Sequence, residues 1–236
     1  MSIAKGQADF TAELSALQSA YKNAPSLSFN IQYTYADESS PGIVLDSSLG
    51  KFRISRNRYW GYIDSTEFMQ NDSVSVVVYK PGKLIHVNTP SDIYPQVTGF
   101  ASLEMILGKT GYSSSLEYSG RQKVIAITIH ESESPYKNFR LFYDSVSHYL
   151  TQMMYTVKDE YVSGENNENT SGTYRKYIIV KAEYSDYNTS AFSESTFATG
   201  NYFIHTNGKQ EPVPPFEGFE VFLSSPKLSS NQQPLH

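Results

Sequence analysis

The sequence predicts a mainly β protein of the α+β class, in which two short helices cover a single curved antiparallel sheet. Aromatic residues make up 14% of the 236 residues, with 19 Tyr and 13 Phe against one Trp, and this bias favours strands. Most of the chain consists of short runs in which apolar and polar residues alternate between turn residues. Such runs are typical of an antiparallel sheet with one face on a core and one in water.

The first element is a helix, predicted over Asp9–Lys22. Its apolar stripe recurs at spacings of four, three and four residues, and consists of Phe10, Leu14, Leu17 and Tyr21. An acidic residue at its start and a basic residue at its end both suit the helix dipole. A helix this short depends on a surface that receives its stripe, and the sheet that follows is the candidate.

The strands of the first half follow directly. The clearest alternation belongs to Leu27–Tyr35, whose apolar face consists of Leu27, Phe29, Ile31, Tyr33 and Tyr35. A run of short strands then continues to Asn88, and Pro81-Gly82 within it is a hairpin signal. These strands are predicted over Ile43–Ser48, Gly50–Arg56, Arg58–Ile63, Thr66–Asn71, Ser75–Lys80 and Lys83–Asn88.

A second helix, predicted over Phe100–Leu107, interrupts the strands, and its position indicates that it covers the sheet. Further strands are predicted over Leu116–Ser119, Gln122–His130, Lys137–Tyr143, His148–Lys158 and Tyr174–Tyr187. Beyond them, Phe192–Phe203 has a weaker strand pattern and Gln210–Pro215 is too rich in proline to be regular. Phe216–Leu223 is the candidate for a last edge strand.

Composition excludes several classes of function. The chain has no cysteine, which excludes disulfides, zinc–thiolate sites, iron–sulfur clusters and a cysteine nucleophile. Its net charge of −5 offers no electrostatic footprint for nucleic acid. No apolar run is long enough to cross a bilayer, and the N-terminus has no hydrophobic signal core. The abundance of Tyr, Ser, Asn and Thr with little Lys favours a periplasmic or otherwise exported protein over a cytoplasmic one.

No group of residues supports a catalytic, metal or cofactor site, so we expect a protein that is not an enzyme. The five histidines are scattered singly. His130 lies closest to acidic residues, at a strand end where solvated charge explains them better. Motifs for nucleotide binding and for a serine nucleophile are absent. Since no repeat or linker divides the chain, we predict a single domain over residues 1–223 and a disordered tail over 224–236.

The predicted sheet has more apolar surface than its helices can cover. A sheet that buries one face needs a second layer, and only Asp9–Lys22 and Phe100–Leu107 can supply it. Roughly ten curved strands enclose more space than two short helices fill, so we expect an apolar cavity. Its predicted lining is Leu17, Tyr21, Phe29, Ile31, Tyr33, Phe52, Ile54, Arg56, Trp60, Val76, Val78, Leu103, Ile127 and Met153.

Arg56 has two interpretations. Arg56 follows Phe52 and Ile54 at intervals of two residues. If the strand continues to Arg56, its guanidinium therefore lies on the same apolar face as those two side chains. A buried arginine is costly unless it is paired or hydrogen-bonded. Alternatively, the strand ends before Arg56 and the side chain reaches solvent.

The order of the elements is itself informative. It runs from a helix and a strand to a Gly-led strand that ends in Arg, an aromatic–Trp strand, and a turn with Asp before an apolar–Tyr strand. The segments are Asp9–Tyr35, Gly50–Arg56, Tyr59-Trp60, Asn71-Asp72 with Val76–Tyr79, Phe142-Tyr143-Asp144 with His148–Val157, and Ala182–Phe197. This order resembles that of the outer-membrane lipoprotein carrier family, which has the LolA/LolB-like fold.

The resemblance implies an unclosed half-barrel, in which helices form a lid over a concave apolar face that receives acyl chains. In that family the Arg at the position of Arg56 helps to hold the lid closed through backbone contacts. The expected function is therefore that of a non-catalytic carrier of an acyl chain, a lipoprotein or another apolar ligand in the cell envelope. The alternative is an envelope or surface module without a ligand, which binds a protein partner through an exposed sheet face or edge.

Overall fold

The computed structural model describes residues 3–90, 103, 106–163, 176–206 and 209–224. Strands dominate these residues, which confirms the prediction of a mainly β protein. The helices described from end to end are α1 (Ile3–Lys22) and α2 (Glu160–Ser163), with 3-10 turns at Glu194–Phe197, Thr199–Asn201 and Pro214–Phe216. The strands are β1 (Leu27–Asp37), β2 (Val44–Ser55), β3 (Arg58–Ile63), β4 (Thr66–Gln70), β5 (Ser75–Tyr79), β6 (Leu84–Asn88), β7 (Tyr112–Ser119), β8 (Gln122–Ile129), β9 (Tyr136–Asp144), β10 (Leu150–Lys158), β11 (Tyr177–Asn188), β12 (Phe203–Thr206), β13 (Lys209–Pro212) and β14 (Glu220–Leu223).

Twelve of the described strands form one sheet, in the order β14-β6-β5-β4-β3-β2-β1-β11-β10-β9-β8-β7. The order begins and ends with different strands, so the sheet is unclosed, as predicted. Neighbouring strands run antiparallel from β2 to β6 and from β7 to β11. Strands β12 and β13 pair in a small second sheet.

The edge strand β14 corrects the prediction of a purely antiparallel sheet. It runs parallel to β6, with Phe222 opposite His86. A tight hairpin makes two strands antiparallel, whereas a long connection can return the chain in either direction. The whole second half of the chain separates β6 from β14, so no hairpin dictates the direction of the last strand.

The two predicted helices have different outcomes. Helix α1 begins at Ile3, earlier than predicted, so that Asp9 lies inside the helix. The residues before Asp9 have too few large apolar side chains to show a stripe, which is why periodicity misses them. The predicted helix Phe100–Leu107 lies partly outside the described residues. Its described members, Leu103, Ile106 and Leu107, are helical, and Leu103 is buried.

Two strand predictions also need correction. Gly50 does not separate two strands, because β2 runs without interruption from Val44 to Ser55, and Gly50 pairs with Ile63 of β3. The segment Gln210–Pro215, predicted to be irregular, contains most of β13 and part of a 3-10 turn. Short strands next to proline lack the length at which alternation becomes visible.

The chain divides into two compact units, each assembled from separate stretches of sequence. The first unit consists of Met1–Asn23, Asn30–Leu49 and Thr98–Asp186. The second consists of Ala24–Phe29, Gly50–Val97 and Tyr187–His236. The single domain over residues 1–223 stays a prediction, and the predicted tail lies outside the described residues apart from Ser224.

In the first unit, α1 docks on the sheet through the predicted stripe, all four members of which are buried. At one end of the stripe, the ring of Phe10 lies 5.8 Å from that of Tyr112 on β7. At the other end, the hydroxyl of Tyr21 accepts a hydrogen bond of 3.0 Å from the Leu150 N–H at the start of β10. The helix is therefore attached at both ends of its apolar face.

A polar contact fixes α1 between those ends. Glu13 accepts a hydrogen bond of 2.6 Å from Lys123 Nζ on β8 and one of 2.7 Å from the Tyr143 hydroxyl on β9. Burial alone raises the pKa of Glu13, but these two hydrogen bonds outweigh it, and the pKa lies below its ordinary value. The carboxylate is thus stabilised in its charged form.

We expect Glu13→Gln to lower the free energy of unfolding by about 1–3 kcal/mol at neutral pH, since Lys123 loses its charged partner. A carboxyl group with a lowered pKa stabilises the fold above its unfolded pKa, and the contribution is lost as pH falls through the folded value. The difference between the variant and the original protein should therefore shrink below a pH of about 4. Urea denaturation at neutral and acidic pH measures both effects.

Glu117→Gln is the matched control for this experiment. The Glu117 carboxylate is 58% exposed and lies 3.6 Å from Arg140 NH2, and an exposed pair of this kind contributes little. Equal losses of stability in the two variants would contradict the role of Glu13.

In the second unit, the C-terminal segment, residues 202–223, covers one face of β4–β6. Its aromatic residues Tyr202, Phe203 and Phe216 are buried, and the rings of Tyr202 and Phe216 stack at 5.7 Å. The strand residues in the same buried cluster are Met69, Val76, Val78, Ile85 and Val87. Only the last residue of the predicted strand Phe192–Phe203 is in a strand, because 3-10 turns occupy most of the segment.

Candidate ligand-binding site

The first unit has a group of aromatic side chains that we call the tyrosine cluster. It consists of Tyr33 and Tyr35 on β1, Tyr136 and Phe139 on β9, and Tyr155 on β10. The pairing of β9 with β10 places Phe139 opposite Tyr155. On the other side of β10, Tyr155 is opposite Val180 of β11. A bulge in the pairing of β9 with β10 lies next to Tyr136.

The rings of the cluster contact one another. The ring centroids of Tyr136 and Phe139 are 5.1 Å apart, and those of Phe139 and Tyr155 are 5.7 Å apart. Tyr136 also lies 6.0 Å from Tyr155. These separations are those of favourable aromatic pairs, so the rings of Tyr136, Phe139 and Tyr155 form one continuous aromatic surface.

The cluster stands on an apolar floor. Val157, Ile178 and Val180 are almost completely buried, and the four tyrosines pack against them. The tyrosines themselves keep part of their surface accessible. The three apolar residues project from the same face of the sheet as Tyr155, so they pack around the base of the tyrosines, which stay partly accessible.

Burial perturbs the pKa values of these phenols, and we treat the accessible side of the rings as a candidate recess. Burial, with a smaller effect of Tyr35, raises the pKa of Tyr33 to about 12. Burial also raises the pKa of Tyr155 and of Tyr136 above the ordinary value of 10.0. Protein atoms therefore surround these phenols closely, although part of each ring remains accessible.

The chemistry of the recess is neutral and apolar. Because burial raises their pKa values, the phenols of Tyr33 and Tyr155 are neutral at physiological pH. Among the residues that the structure describes, no three His, Asp or Glu side chains form a group that could hold a metal ion. The recess can therefore bind a ligand through dispersion and burial of apolar surface, with phenol hydroxyls as its polar groups.

The predicted lining residues of the first unit lie in or near the core. Tyr33 is the one that belongs to the tyrosine cluster. The others are buried, and they are Leu17, Tyr21, Ile31, Leu103, Ile127 and Met153. Their part in a cavity stays a prediction.

The predicted lining residues of the second unit project from two faces of the sheet. Phe52 is opposite Gly61, and its ring stacks on Phe29 at 5.6 Å. Trp60 is opposite Arg53 and so projects from the other face. Residues on opposite faces cannot line one recess, which separates Phe29, Phe52 and Ile54 from Trp60, Val76 and Val78.

The second of these groups is already covered. Val76 and Val78 are fully buried against the C-terminal segment, and Trp60 packs against the same cluster. Glu67 Oε1 accepts hydrogen bonds from Trp60 Nε1 at 2.8 Å and from the Tyr202 hydroxyl at 2.9 Å. The prediction that Trp60, Val76 and Val78 face a ligand together with Phe52 is therefore wrong.

Arg56 does not point to the apolar side. Strand β2 ends at Ser55, and Arg56 occupies the turn that follows with a φ of 55°. The alternation of a strand no longer applies in that conformation, and the side chain is exposed. The interpretation that ends the strand before Arg56 is the one that the structure supports.

Tyr35, Tyr136, Phe139 and Tyr155 are not among the site residues predicted from the sequence. Two of them had a visible signal. Tyr35 shares the face of Tyr33 in the clearest predicted strand, and Tyr155 shares that of Met153 in β10. Tyr136 had none, because its position depends on the bulge between β9 and β10.

No family model matches the sequence, and no curated protein matches it. Solved structures do. One is an uncharacterized conserved protein from Thermus thermophilus, with 5% identity and a TM-score of 0.49 over 90% of this chain and 98% of that chain. Another is lipoprotein LppX from Mycobacterium tuberculosis, with 14% identity and a TM-score of 0.40 over 78% of this chain and 97% of that one.

A LolA superfamily protein from Nitrosomonas europaea also matches, with 11% identity and a TM-score of 0.34 over 80% of this chain and 97% of that chain. These matches concern the fold alone. None of the described helices is long and apolar enough to cross a bilayer.

Proposed function

We propose that the protein is a non-catalytic binding protein, which holds an apolar ligand such as an acyl chain against the tyrosine cluster. The observation that carries the proposal is the combination of accessible rings, a buried apolar floor and raised pKa values at Tyr33 and Tyr155. An open apolar recess of this kind is unfavourable in water unless a ligand covers it.

Burial of apolar surface supplies the affinity. Each methylene group of an acyl chain that leaves water for an apolar surface contributes about 0.8 kcal/mol. Aromatic rings offer a large rigid contact area, and their hydroxyls can meet polar groups at the edge of the ligand. Because the cluster and the residues that it packs against are aromatic and aliphatic, we expect recognition of the apolar part of a ligand.

The same pKa values argue against catalysis by the cluster. A tyrosine that acts as a base or a nucleophile needs a lowered pKa, whereas burial raises the pKa of Tyr33, Tyr136 and Tyr155. The proposal therefore assigns binding and no reaction to this site.

The proposal extends to the ligand class and the compartment. We place the ligand among the acyl chains of lipids or lipoproteins, and the site of action in the cell envelope. The composition supports export, since the chain is rich in Tyr, Ser, Asn and Thr and has little Lys. Native mass spectrometry of the protein from an envelope fraction tests this extension, and a chain without a co-purified lipid would count against it.

Uptake of a pyrene-labelled fatty acid by the purified protein tests the binding site. We expect saturable binding, and we expect Tyr155→Ala to weaken it about tenfold, because loss of one ring contact costs about 1.4 kcal/mol. Tyr79→Ala is the control, since Tyr79 is 46% exposed and lies on β5 of the second unit. Thermal unfolding of both variants verifies that they are folded. Absence of uptake by the original protein, or equal weakening in both variants, would contradict the proposal.

A further inference from the structure

We propose that the hydroxyls of Tyr33 and Tyr155 donate hydrogen bonds to an uncharged carbonyl group of the ligand, so that the site selects an acyl ester or amide over a free fatty acid. This inference rests on the proposed function, because it needs an acyl chain on the tyrosine cluster. It gives the two hydroxyls a role of their own, separate from the apolar contact that the rings supply.

The two tyrosines reach the same part of the sheet from different strands. Tyr33 lies on β1 and Tyr155 on β10, and β11 is the strand between these two. Both side chains pack against the same small group of aliphatic residues, which includes Val180 of β11. Tyr33 is also one of the groups that raise the pKa of Tyr155, so the two phenols lie close together.

Neither hydroxyl has a hydrogen-bond partner among the residues that the structure describes. Both side chains are half-buried, and burial is the largest cause of their raised pKa values. The other causes are neighbouring phenols, and no hydrogen bond is among them. An acyl chain that covers the rings removes water from these hydroxyls, and a hydroxyl left without a partner costs free energy. The ligand itself must therefore supply the partner.

Other buried tyrosines of this chain do have partners. The Tyr143 hydroxyl donates to Glu13 at 2.7 Å, and the Tyr202 hydroxyl donates to Glu67 at 2.9 Å. Each of these bonds holds a segment of the chain on the sheet, and each phenol serves the fold. The hydroxyls of Tyr33 and Tyr155 have no such task, which leaves them available to a ligand.

The electrostatic environment favours an uncharged acceptor. Among the described residues, no cationic side chain is a cause of the raised pKa of Tyr33 or Tyr155. An ionised carboxylate that leaves water without a cationic partner has a large desolvation cost, whereas the carbonyl group of an ester or amide loses far less. A neutral phenol donates one hydrogen bond, which suits a carbonyl oxygen. The acyl chain of a lipid ester or amide carries such an oxygen.

The experiment compares three probes that share one pyrene-labelled acyl chain and differ only in the head group: the free acid, its methyl ester and its N-methyl amide. We expect the ester and the amide to bind the original protein at least about tenfold more tightly than the acid at neutral pH. Because an ester is also more apolar than a carboxylate, variants are needed to isolate the effect of the hydroxyls.

Tyr33→Phe and Tyr155→Phe keep the rings and remove the hydroxyls. We expect each variant to lower the ratio of ester affinity to acid affinity about fivefold, as the loss of one hydrogen bond predicts. Tyr79→Phe is the matched control, since Tyr79 is exposed on β5 of the second unit, and it should leave the ratio unchanged.

Two further readouts separate binding from a structural role. Without ligand, both variants should unfold at the same temperature as the original protein or a higher one, because neither hydroxyl has a partner to lose. The infrared band of an isotope-labelled ester carbonyl should move to lower frequency on binding, and the shift should shrink in both variants. Equal affinities of ester and acid, or a ratio that Tyr33→Phe and Tyr155→Phe do not change, would overturn this inference alone. No binding of any of the three probes would overturn the proposed function with it.

Discussion

Replacing Tyr202 with alanine is expected to lower the free energy of unfolding by about 4 kcal/mol. Tyr202 is 1% exposed, its ring stacks on Phe216, and it lies in the cluster with Met69 and Val76. The substitution leaves a cavity in this cluster and removes one of the two hydrogen bonds to Glu67 Oε1. Urea denaturation measures the loss.

Phe222→Ala is the control for this prediction. Phe222 is also an aromatic residue of the C-terminal segment, but it is 44% exposed and stacks only on His86. We expect a change below about 1 kcal/mol, as for most exposed positions. If Tyr202→Ala cost no more than Phe222→Ala, the C-terminal segment would not be an essential cover of β4–β6.

Gly61→Ala is expected to lower the free energy of unfolding by about 2–3 kcal/mol. A Cβ at Gly61 would lie 2.7 Å from Cε1 of Phe52, still closer to its Cδ1, and 2.8 Å from the carbonyl oxygen of Lys51. Phe52 is almost fully buried and stacks on Phe29, so its ring cannot move aside without disturbing the core. The crowding arises because Phe52 and Gly61 are opposite each other in the sheet.

Two comparisons isolate this effect. Gly42→Ala adds the same methyl group where no atom lies within 4 Å, so we expect a change within about 0.5 kcal/mol. Adding Phe52→Leu to Gly61→Ala should recover part of the lost stability, since a smaller side chain relieves the contact with the new methyl group. The double variant should therefore lose less free energy of unfolding than the sum of the two single variants. Additive losses in the double variant would show that Phe52 is not the residue that excludes a side chain at position 61.

Periodicity predicted the parts of the fold that repeat over several residues. The stripe of α1 and the face shared by Leu27, Phe29 and Ile31 are buried as expected, because burial of one face imposes a regular pattern on the sequence. The end of β2 was not predictable in this way. A single residue with positive φ, Arg56, ends the alternation, and such a residue leaves no periodic signal.

The cover on β4–β6 was not predictable because its residues follow no period. Tyr202, Phe203 and Phe216 reach the cluster from 3-10 turns and a short strand. The parallel β14 has the same cause, since a long irregular connection precedes it. Local sequence does not specify where such a connection lies on a sheet.

The candidate site was only partly predictable, although one error was avoidable. The turn between β2 and β3 consists of Arg56 and Asn57, and it places Trp60 opposite Arg53. If the turn lay one residue later, Trp60 would be opposite Ser55. In both registers Trp60 lies on the face of the sheet away from Phe52. The alternation of side chains along the strands is therefore enough to show that these two residues cannot line one site. By contrast, Tyr136 joins Tyr155 through a bulge, which only the structure shows.

The central claim is that an apolar ligand lies on the tyrosine cluster. Nuclear Overhauser contacts between a bound fatty acid and the protein test it most directly. We expect contacts from the acyl chain to the ring protons of Tyr33, Tyr35, Tyr136 and Tyr155. An acyl chain that contacts only residues of the second unit, or no residue at all, would contradict the claim.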